Sequence, residues 1–304
     1  MAFVQRTIDL KFTLGTGAFG EGGADTVEVT GLRVSASIIQ AGNFFTSELQ
    51  LRVWGMPLDT MAKLTILNMK TVGQLRNNTV TVIAGDSTGS RGVVFVGTIM
   101  EAWADASNPP DMVFTLRANA GALSAVKPIP PTSFKGPVDA DTFFTSLARQ
   151  ITDGAQPTPY SLENSGVVGT LDSPYYSGSA LEQIKKGAAA LDCNGSIDTV
   201  NRVVAIWPGG QPRGASILDI SPETGLVGYP QFTQNGVAFS MLFNPAIFFN
   251  QQIKLSSTLS NANGTWVVAA IQHTIDAELP GGQWFTRVEC GLLGSEAPVI
   301  NAPS

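Results

Sequence analysis

Apolar and polar residues alternate with period two over much of the first 120 residues. Leu49, Leu51 and Val53 are separated by polar neighbours, the pattern of a strand with one buried face. Residues 1–14, 26–39, 46–54, 79–84, 92–103 and 112–117 read as strands, and residues 56–64 (MPLDTMAKL) as a short helix inserted between them. Short strands in such number predict a closed or nearly closed β-barrel, which leaves no exposed edge.

The pattern then changes. Residues 127–131 form a proline-rich boundary. Residues 139–151 predict a helix, with Phe143, Leu147 and Ile151 at four-residue spacing on one face. Residues 156–174 are loop-rich. Residues 179–191 predict a second helix: Ser179 and Glu182 make a capping-box pair, and Leu181, Ile184, Ala188 and Leu191 form one apolar stripe. Such a stripe is a core contact rather than a ligand box. Residues 195–199 and 203–207 predict a hairpin.

From residue 213 onward strands return. Residues 264–291 (GTWVVAAIQHTIDAELPGGQWFTRVECG) read as two β arms around a Pro-Gly-Gly turn. Residues 236–249 are the most apolar run and are expected to pack into this C-terminal part, with some residues left for a partner. The run is interrupted by Asn244 and Pro245 and is too short to span a membrane. The reading is therefore mainly β (α+β): two similar β-barrel domains, residues 1–121 and 213–296, with a small α/β region, 122–212, between them. A tail over 297–304 is expected to fray. A shift of 171 residues pairs Asp105-Ala106-x-x-Pro109 with Asp276-Ala277-x-x-Pro280, and Phe114-Thr115 with Phe285-Thr286. This predicts an internal repeat, with convergent hairpin chemistry as the alternative.

Composition sharpens the picture. Of 304 residues 43% are hydrophobic and only 14% charged, so a large core is available and disorder of the whole chain is excluded. The low charge also suggests that partners cover much of the surface. The net charge is −6. Residues 1–120 hold 9 basic and 10 acidic side chains, and residues 121–304 hold 9 and 14. No Lys/Arg cluster of the kind that grips nucleic acid exists. Nothing resembles a signal peptide, and the two cysteines, Cys193 and Cys290, fit neither a zinc spacing nor a redox pair. They are expected to be buried free thiols. The sequons at Asn77, Asn194 and Asn263 are read as turn chemistry.

Candidate chemistry is thin. Gly15-Thr16-Gly17-Ala18-Phe19-Gly20 fits GxGxxG, but a dinucleotide site needs a helix directly after it. The chain continues EGGADTVEVTGLRV, turn residues followed by a strand. A kinase would need H-R-D and D-F-G, and neither is present. The lone histidine, His273, is three residues from Asp276 on a strand, so the two point to opposite faces. No G-x-S-x-G elbow accompanies them, and one histidine builds no zinc site. Glu48, Asp59, Glu101, Glu182 and Glu289 are scattered, with no lysozyme-like segment. Trp54, Trp103, Trp207, Trp266 and Trp284 all lie in strand-like runs, where packing explains them better than sugar stacking. The sequence thus offers no catalytic residue, no cofactor-binding residue, no metal ligand and no cofactor.

The order of segments in the last third resembles the hub proteins of phage tail baseplates. The matching pieces run from Thr224-Gly225-Leu226-Val227-Gly228-Tyr229-Pro230 through Gly236-Val237 to Asn244-Pro245-Ala246-Ile247. They end with His273 to Asp276 and Trp284 to Cys290. Residues 49–64 and 94–99 resemble the same family's first barrel. Related N-terminal regions occur in type VI secretion spikes. The resemblance implies a structural virion protein, not an enzyme. It implies a homotrimer whose two barrels per chain make a pseudo-sixfold ring, joining a sixfold tail tube protein to a threefold central spike protein. Other baseplate proteins would surround it, and DNA would pass through the channel unbound, with no membrane insertion. It implies assembly in the host cytoplasm, a structural His273, and a glycine-rich loop that touches neighbouring subunits or the tube. A tail-associated cell-wall hydrolase and a host-glycan-binding module remain the alternatives.

Overall fold

The computed structural model describes residues 5–20, 22–42, 47–66, 77–86, 91–108, 110–151 and 159–293. The tail expected to fray lies outside them. Among the described residues, one sheet of thirteen strands runs through both strand-rich parts of the chain.

The first part contributes β1 (Arg6–Thr13), β2 (Thr26–Val29), β3 (Arg33–Ala41), β4 (Glu48–Trp54), helix α1 (Leu58–Leu64), β5 (Thr79–Asp86), β6 (Gly92–Asn108) and β7 (Asp111–Asn119). Their order is β3-β4-β7-β6-β5-β1-β2, antiparallel throughout. The strand expected over 26–39 is two strands, because Gly31 turns the chain at φ +67°. Leu49, Leu51 and Val53 are buried as their alternation requires, against a core that includes Phe12, Phe95 and Phe114.

The middle part holds α2 (Ala122–Val126), β8 (Pro128–Ser133), β9 (Pro137–Asp139) and α3 (Ala140–Ala148). It continues with β10 (Ser161–Asn164), β11 (Thr170–Asp172), β12 (Tyr175–Ser179), α4 (Ala180–Ala190), β13 (Cys193–Asp198) and β14 (Val203–Pro208). Asp139 caps α3 by accepting the Thr142 N–H at 2.9 Å. The capping box of α4 is complete: Ser179 Oγ accepts from the Glu182 N–H at 3.2 Å, and Glu182 Oε2 from the Ser179 N–H at 3.0 Å. Phe143 and Leu147 of α3 meet Ile184 and Ala188 of α4 in one core. Gly187 permits the approach, since a Cβ there would collide with the Phe143 ring. The hairpin β13–β14 forms as predicted, and β10 adds to it in parallel. The proline-rich boundary is itself an edge strand, β8, paired only with β12 among the described residues.

The last part contributes β15 (Arg213–Ile220), β16 (Leu226–Thr233), β17 (Gly236–Leu242), β18 (Gln251–Leu255), a 3-10 turn (Ser260–Ala262), β19 (Gly264–Ala277) and β20 (Trp284–Gly291). The path β16-β17-β20-β19-β18 repeats β3-β4-β7-β6-β5 in order and direction, in the same succession along the chain. The two systems part at the next strand. β1 lies antiparallel to β5, whereas β15 lies parallel to β18.

The two systems are not separate sheets. β19 pairs with β3 from Ala270↔Ala41 to Ala277↔Val34. Its fourteen residues span about 46 Å, more than one core needs. Val268 and Ile271 serve the second core, while Ile275 and Ala277, with Trp284 and Phe243, enter the first. The run 236–249 is therefore divided. Val237, Phe239, Met241 and Ile247 stay in the second core, and Phe249 packs on Trp207 of the middle part. No sheet closes on itself among the described residues. The ends of β1 and β19 approach through side chains instead: Gln5 Nε2 donates to Glu278 Oε1 at 3.3 Å, and the Arg6 guanidinium stands 5.6 Å from the Trp284 ring.

The hairpins β6–β7 and β19–β20 occupy equivalent places but differ in register by one residue. Asp105 lies opposite Val113, whereas the Asp276 N–H donates to Gln283 O. The shift of 171 residues therefore fails on the second arm. Phe114 is fully buried, and Phe285 faces outward, 37% exposed.

Candidate assembly surfaces

His273 faces inward on β19, where the two cores meet. Its Nδ1 is 2.9 Å from Thr286 Oγ1 on β20, and its ring meets Phe243 edge-on at 5.4 Å. Burial holds its pKa down at about 4, so the imidazole is neutral. Asp276 points to the other face and caps the β19–β20 turn, accepting the Gln283 N–H at 2.8 Å. The two side chains expected to diverge do diverge.

A second polar centre lies where the middle part meets the last. Arg213, at the start of β15, is 4% exposed. It forks onto Glu163 of β10, with Nε and Nη2 each donating at 2.9 Å, and Nη2 reaches Asp198 of β13 at 3.0 Å. Phe248 stacks 4.8 Å from the guanidinium. Burial alone would lower the Arg213 pKa. The hydrogen bond to Glu163 and the charges of Asp198 and Glu163 outweigh that and raise it. These residues border a cavity of about 420 Å³ between the three parts, bounded also by Gln40, Val94 and Pro245. The charges there satisfy one another, so the centre locks elements together and presents no free reactive group. Thr199 adds to the lock, donating to the Val96 carbonyl of β6 at 2.8 Å. Residues 163, 198 and 213 are distant in sequence, and the one signal that could have singled out Arg213 is a cation in a charge-poor chain.

The other candidates resolve structurally. The Gly15–Gly20 segment joins β1 to β2, and Gly15 N–H donates to Asn78 Oδ1 at 3.0 Å. No helix follows it. Asp59 pairs with Lys63 at 3.3 Å, Glu101 with Arg117 at 3.8 Å and Glu289 with Arg287 at 3.7 Å, while Glu182 is spent in its capping box. Glu48 is exposed on β4. Trp207 and Trp284 are buried; Trp54, Trp103 and Trp266 are half-buried in their strands. Both cysteines are free thiols. Cys290 is buried and its pKa is pushed up, but Cys193 is only half-buried, contrary to expectation, and burial raises it to about 11. Asn77 adopts a left-handed φ of 55° and Asn263 accepts the Ser257 N–H across a loop, whereas Asn194 lies within β13. Among the described residues no cluster of His, Cys, Asp or Glu could hold a metal ion, and no helix is long and apolar enough to cross a membrane.

The surface is more distinctive. β16 pairs only with β17 among the described residues. Val227, Tyr229 and Phe232 on it are 40%, 73% and 58% exposed. Val227 shares a face with Leu242 and Phe285, which stand opposite each other on β17 and β20, whereas Phe232, opposite Val237, lies on the other face. Alternation along 226–233 is weak, so periodicity did not reveal it.

The fold has known counterparts. It resembles the tail protein from Neisseria meningitidis MC58 with a TM-score of 0.60 at 7% identity, covering 95% of this chain and 97% of that one. It resembles the 43 kDa tail protein of prophage MuSo2 from Shewanella oneidensis with a TM-score of 0.56 at 9% identity, covering 93% and 96%. It also resembles the E. coli c3393 protein, a type VI secretion component described as structurally similar to the T4 bacteriophage tail proteins gp27 and gp5. There the TM-score is 0.53 at 7% identity, covering 88% and 78%. Among curated proteins no sequence matches significantly. The sequence profile of the family described as baseplate hub gp41 matches residues 12–289. That match spans both strand systems and the part between them, and the chain belongs to the baseplate hub gp41 family of phage tail proteins.

Proposed function

We propose that three copies of this chain form a ring that adapts a sixfold tail tube to a threefold central spike and surrounds the DNA exit channel. The observation that carries this is the five-strand order repeated within one chain. Two similar units per chain in a trimer present six similar faces to a tube, while the trimer itself presents three to a spike. In this reading residues 1–121 and 213–296 act as barrel-like domains and residues 122–212 as a small α/β domain. Other baseplate proteins pack around the ring, and assembly takes place in the host cytoplasm.

The solvent side of the shared sheet suits a channel wall. On it Gln272 and Thr274 of β19, Ser35 and Ser37 of β3, and Gln50 of β4 lie among charges of both signs, since Ser35 stands between Asp276 and Arg52 and Gln272 lies beside Arg287. Beyond them Arg117 is answered by Glu101. DNA passing such a wall meets hydrogen-bonding groups but no basic grip, so it slides. The protein breaks no bond; its work is sealing and symmetry adaptation.

Sedimentation of the purified chain should give three times its 32.0 kDa mass. Class averages by electron microscopy should show a threefold ring with a hole. A monomer, or a compact particle without a hole, would overturn the reading.

A further inference from the structure

Three asparagines in the chain stand directly before a glycine: Asn194, Asn235 and Asn263. Such pairs share one reaction. The glycine nitrogen loses its proton to base and attacks the asparagine side-chain carbonyl carbon, unhindered because glycine carries no Cβ. The side-chain nitrogen leaves as ammonia, and a five-membered succinimide remains. Water then opens that ring at either carbonyl. One product is aspartate. The other is isoaspartate, in which the main chain runs through the former side chain. In balance, one water is taken up and one ammonia released. The fold decides which of the three pairs is free to react.

Two are restrained. Asn194 lies within β13 opposite Trp207, and Gly195 lies opposite Ile206; both partners are buried. Asn263 is exposed, but its side chain is tied to one residue. Its Oδ1 accepts from the Ser257 N–H at 2.6 Å and from Ser257 Oγ at 3.1 Å, and its Nδ2 donates to Ser257 O at 2.9 Å. Turning that side chain toward the Gly264 nitrogen breaks all of these bonds.

Asn235 is held by neither device. With Gln234 it forms the exposed two-residue connection between β16 and β17. Among the described residues no hydrogen bond fixes its side chain. Thr233↔Gly236 is the last pair of the β16–β17 ladder, and β16 pairs with no other described strand. Fraying the turn therefore costs one pair with β16. The glycine, in turn, is required by packing: a Cβ at position 236 would collide with the Cys290 carbonyl oxygen. The fold thus keeps the most reactive successor behind the least restrained asparagine.

We propose that Asn235 is a site of spontaneous modification, converting through a succinimide to aspartate and isoaspartate, while Asn194 and Asn263 remain amides in the folded chain. Conversion adds one negative charge to a chain already at −6. Isoaspartate also adds one carbon to the main chain just before Gly236, where the hairpin is packed against the Cys290 carbonyl and has no slack. The neighbouring pairs Phe232↔Val237 and Gln231↔Ala238 should open more readily as a result. The same strand carries the exposed Val227 and Tyr229, so the change acts on one edge of the apolar surface.

The test is incubation of the purified full-length chain at mildly alkaline pH, with samples taken over weeks. Peptide mapping by mass spectrometry reads the amide-to-acid conversion at each pair, and isoaspartyl methyltransferase labelling reads the isoaspartate. Asn235 should convert at least about tenfold faster than Asn194 and Asn263. In denaturant the three rates should converge, because the protection at the other two belongs to the fold. Asn235→Gln should remove the fast conversion and its label. Hydrogen exchange over residues 231–238 should be faster in the isoaspartate form than in Asn235→Asp, which has the charge without the added carbon. An Asn235 that stays intact, or converts no faster than the other two in the folded chain, overturns the proposal. Three rates that remain apart in denaturant overturn its assignment to the fold. Equal exchange in the isoaspartate form and Asn235→Asp overturns the loosening of the turn.

Discussion

The two strand systems share an order but not a boundary. The second core is self-contained: Ile220, Val237, Phe239, Ile253, Ile271 and Val288 all come from its own strands. The first core is completed by residues of the second system, Phe243, Ile275, Ala277 and Trp284. Order along a sheet is set by local hairpins, each fixed by its own turn and alternation. Core membership is set by reach, and β19 is long enough to serve both sides. Dependence therefore runs one way. Damage where β19 crosses should unfold the first system from a distance, whereas damage within the first core should leave the second less affected.

Phe243→Asp is the sharpest break. The ring is buried against Trp284 at 5.1 Å and His273 at 5.4 Å. A carboxylate there has no partner, and the cost is about 4 kcal/mol or more. Expression should yield insoluble protein, or soluble protein in which hydrogen exchange is fast across β1, β5 and β6 although Phe243 belongs to the second system by sequence. Uniform protection in the variant would show that the first core does not depend on this residue.

Arg213 joins the second system to the middle part rather than to the first. Arg213→Ala leaves the largely buried Asp198 and the part-exposed Glu163 without their cation, at a cost of about 3 kcal/mol or less. Adding Glu163→Gln and Asp198→Asn should recover part of that loss, because the charges rather than the space are at fault. Chemical denaturation of the native chain, Arg213→Ala, Glu163→Gln with Asp198→Asn, and all three together gives the coupling. Additive losses would mean that the three residues do not act as one unit.

Neither of these two sites was legible in local sequence patterns, whereas other elements were. Helix α4 could be read directly, since Ser179, Glu182 and an apolar stripe at helical spacing are local signals. The hairpins β13–β14 and β19–β20 were legible for the same reason. Strands β10 and β11 were not: they are four and three residues long, and β10 pairs in parallel with a strand some forty residues away. The β3–β19 seam left no trace either, because alternation says which face of a strand is buried but not which strand lies beside it. Fold class and family emerged from patterns within segments. The single sheet, the borrowed core and the Arg213 centre depend on contacts between segments, which no local pattern encodes.

His273 tests the crossing point by pH. The folded chain holds it at about 4, against 6.5 unperturbed, through burial. As pH falls below 6.5 the unfolded chain takes up a proton that the folded chain refuses until pH nears 4. The contribution to stability is therefore complete above about pH 6.5 and is lost as pH falls toward 4, by up to roughly 3 kcal/mol. His273→Gln should flatten that limb of the stability profile relative to the native chain. Identical profiles for the two would show that His273 is protonated in the folded state or solvated.

The smallest effect concerns the register difference itself. Phe114 and Phe285 each precede a threonine on the second arm of equivalent hairpins, and a shift of 171 residues equates them. The pairing does not. Val113 stands opposite Asp105, but Gln283 stands opposite Asp276, and the one-residue slip sends the two rings to opposite faces. Trp284 fills the inward place that Phe114 fills in the first hairpin. Phe114→Ala should therefore cost about 3–5 kcal/mol, as for a ring removed from a packed core. Phe285→Ala should cost about 1 kcal/mol or less, because its ring keeps contact with water and with Leu242 alone as a direct cross-strand neighbour on β17. Thermal melts of the two variants under one set of conditions decide the matter. Equal losses would mean that the hairpins share a register after all and that the two halves are closer copies than their pairing indicates.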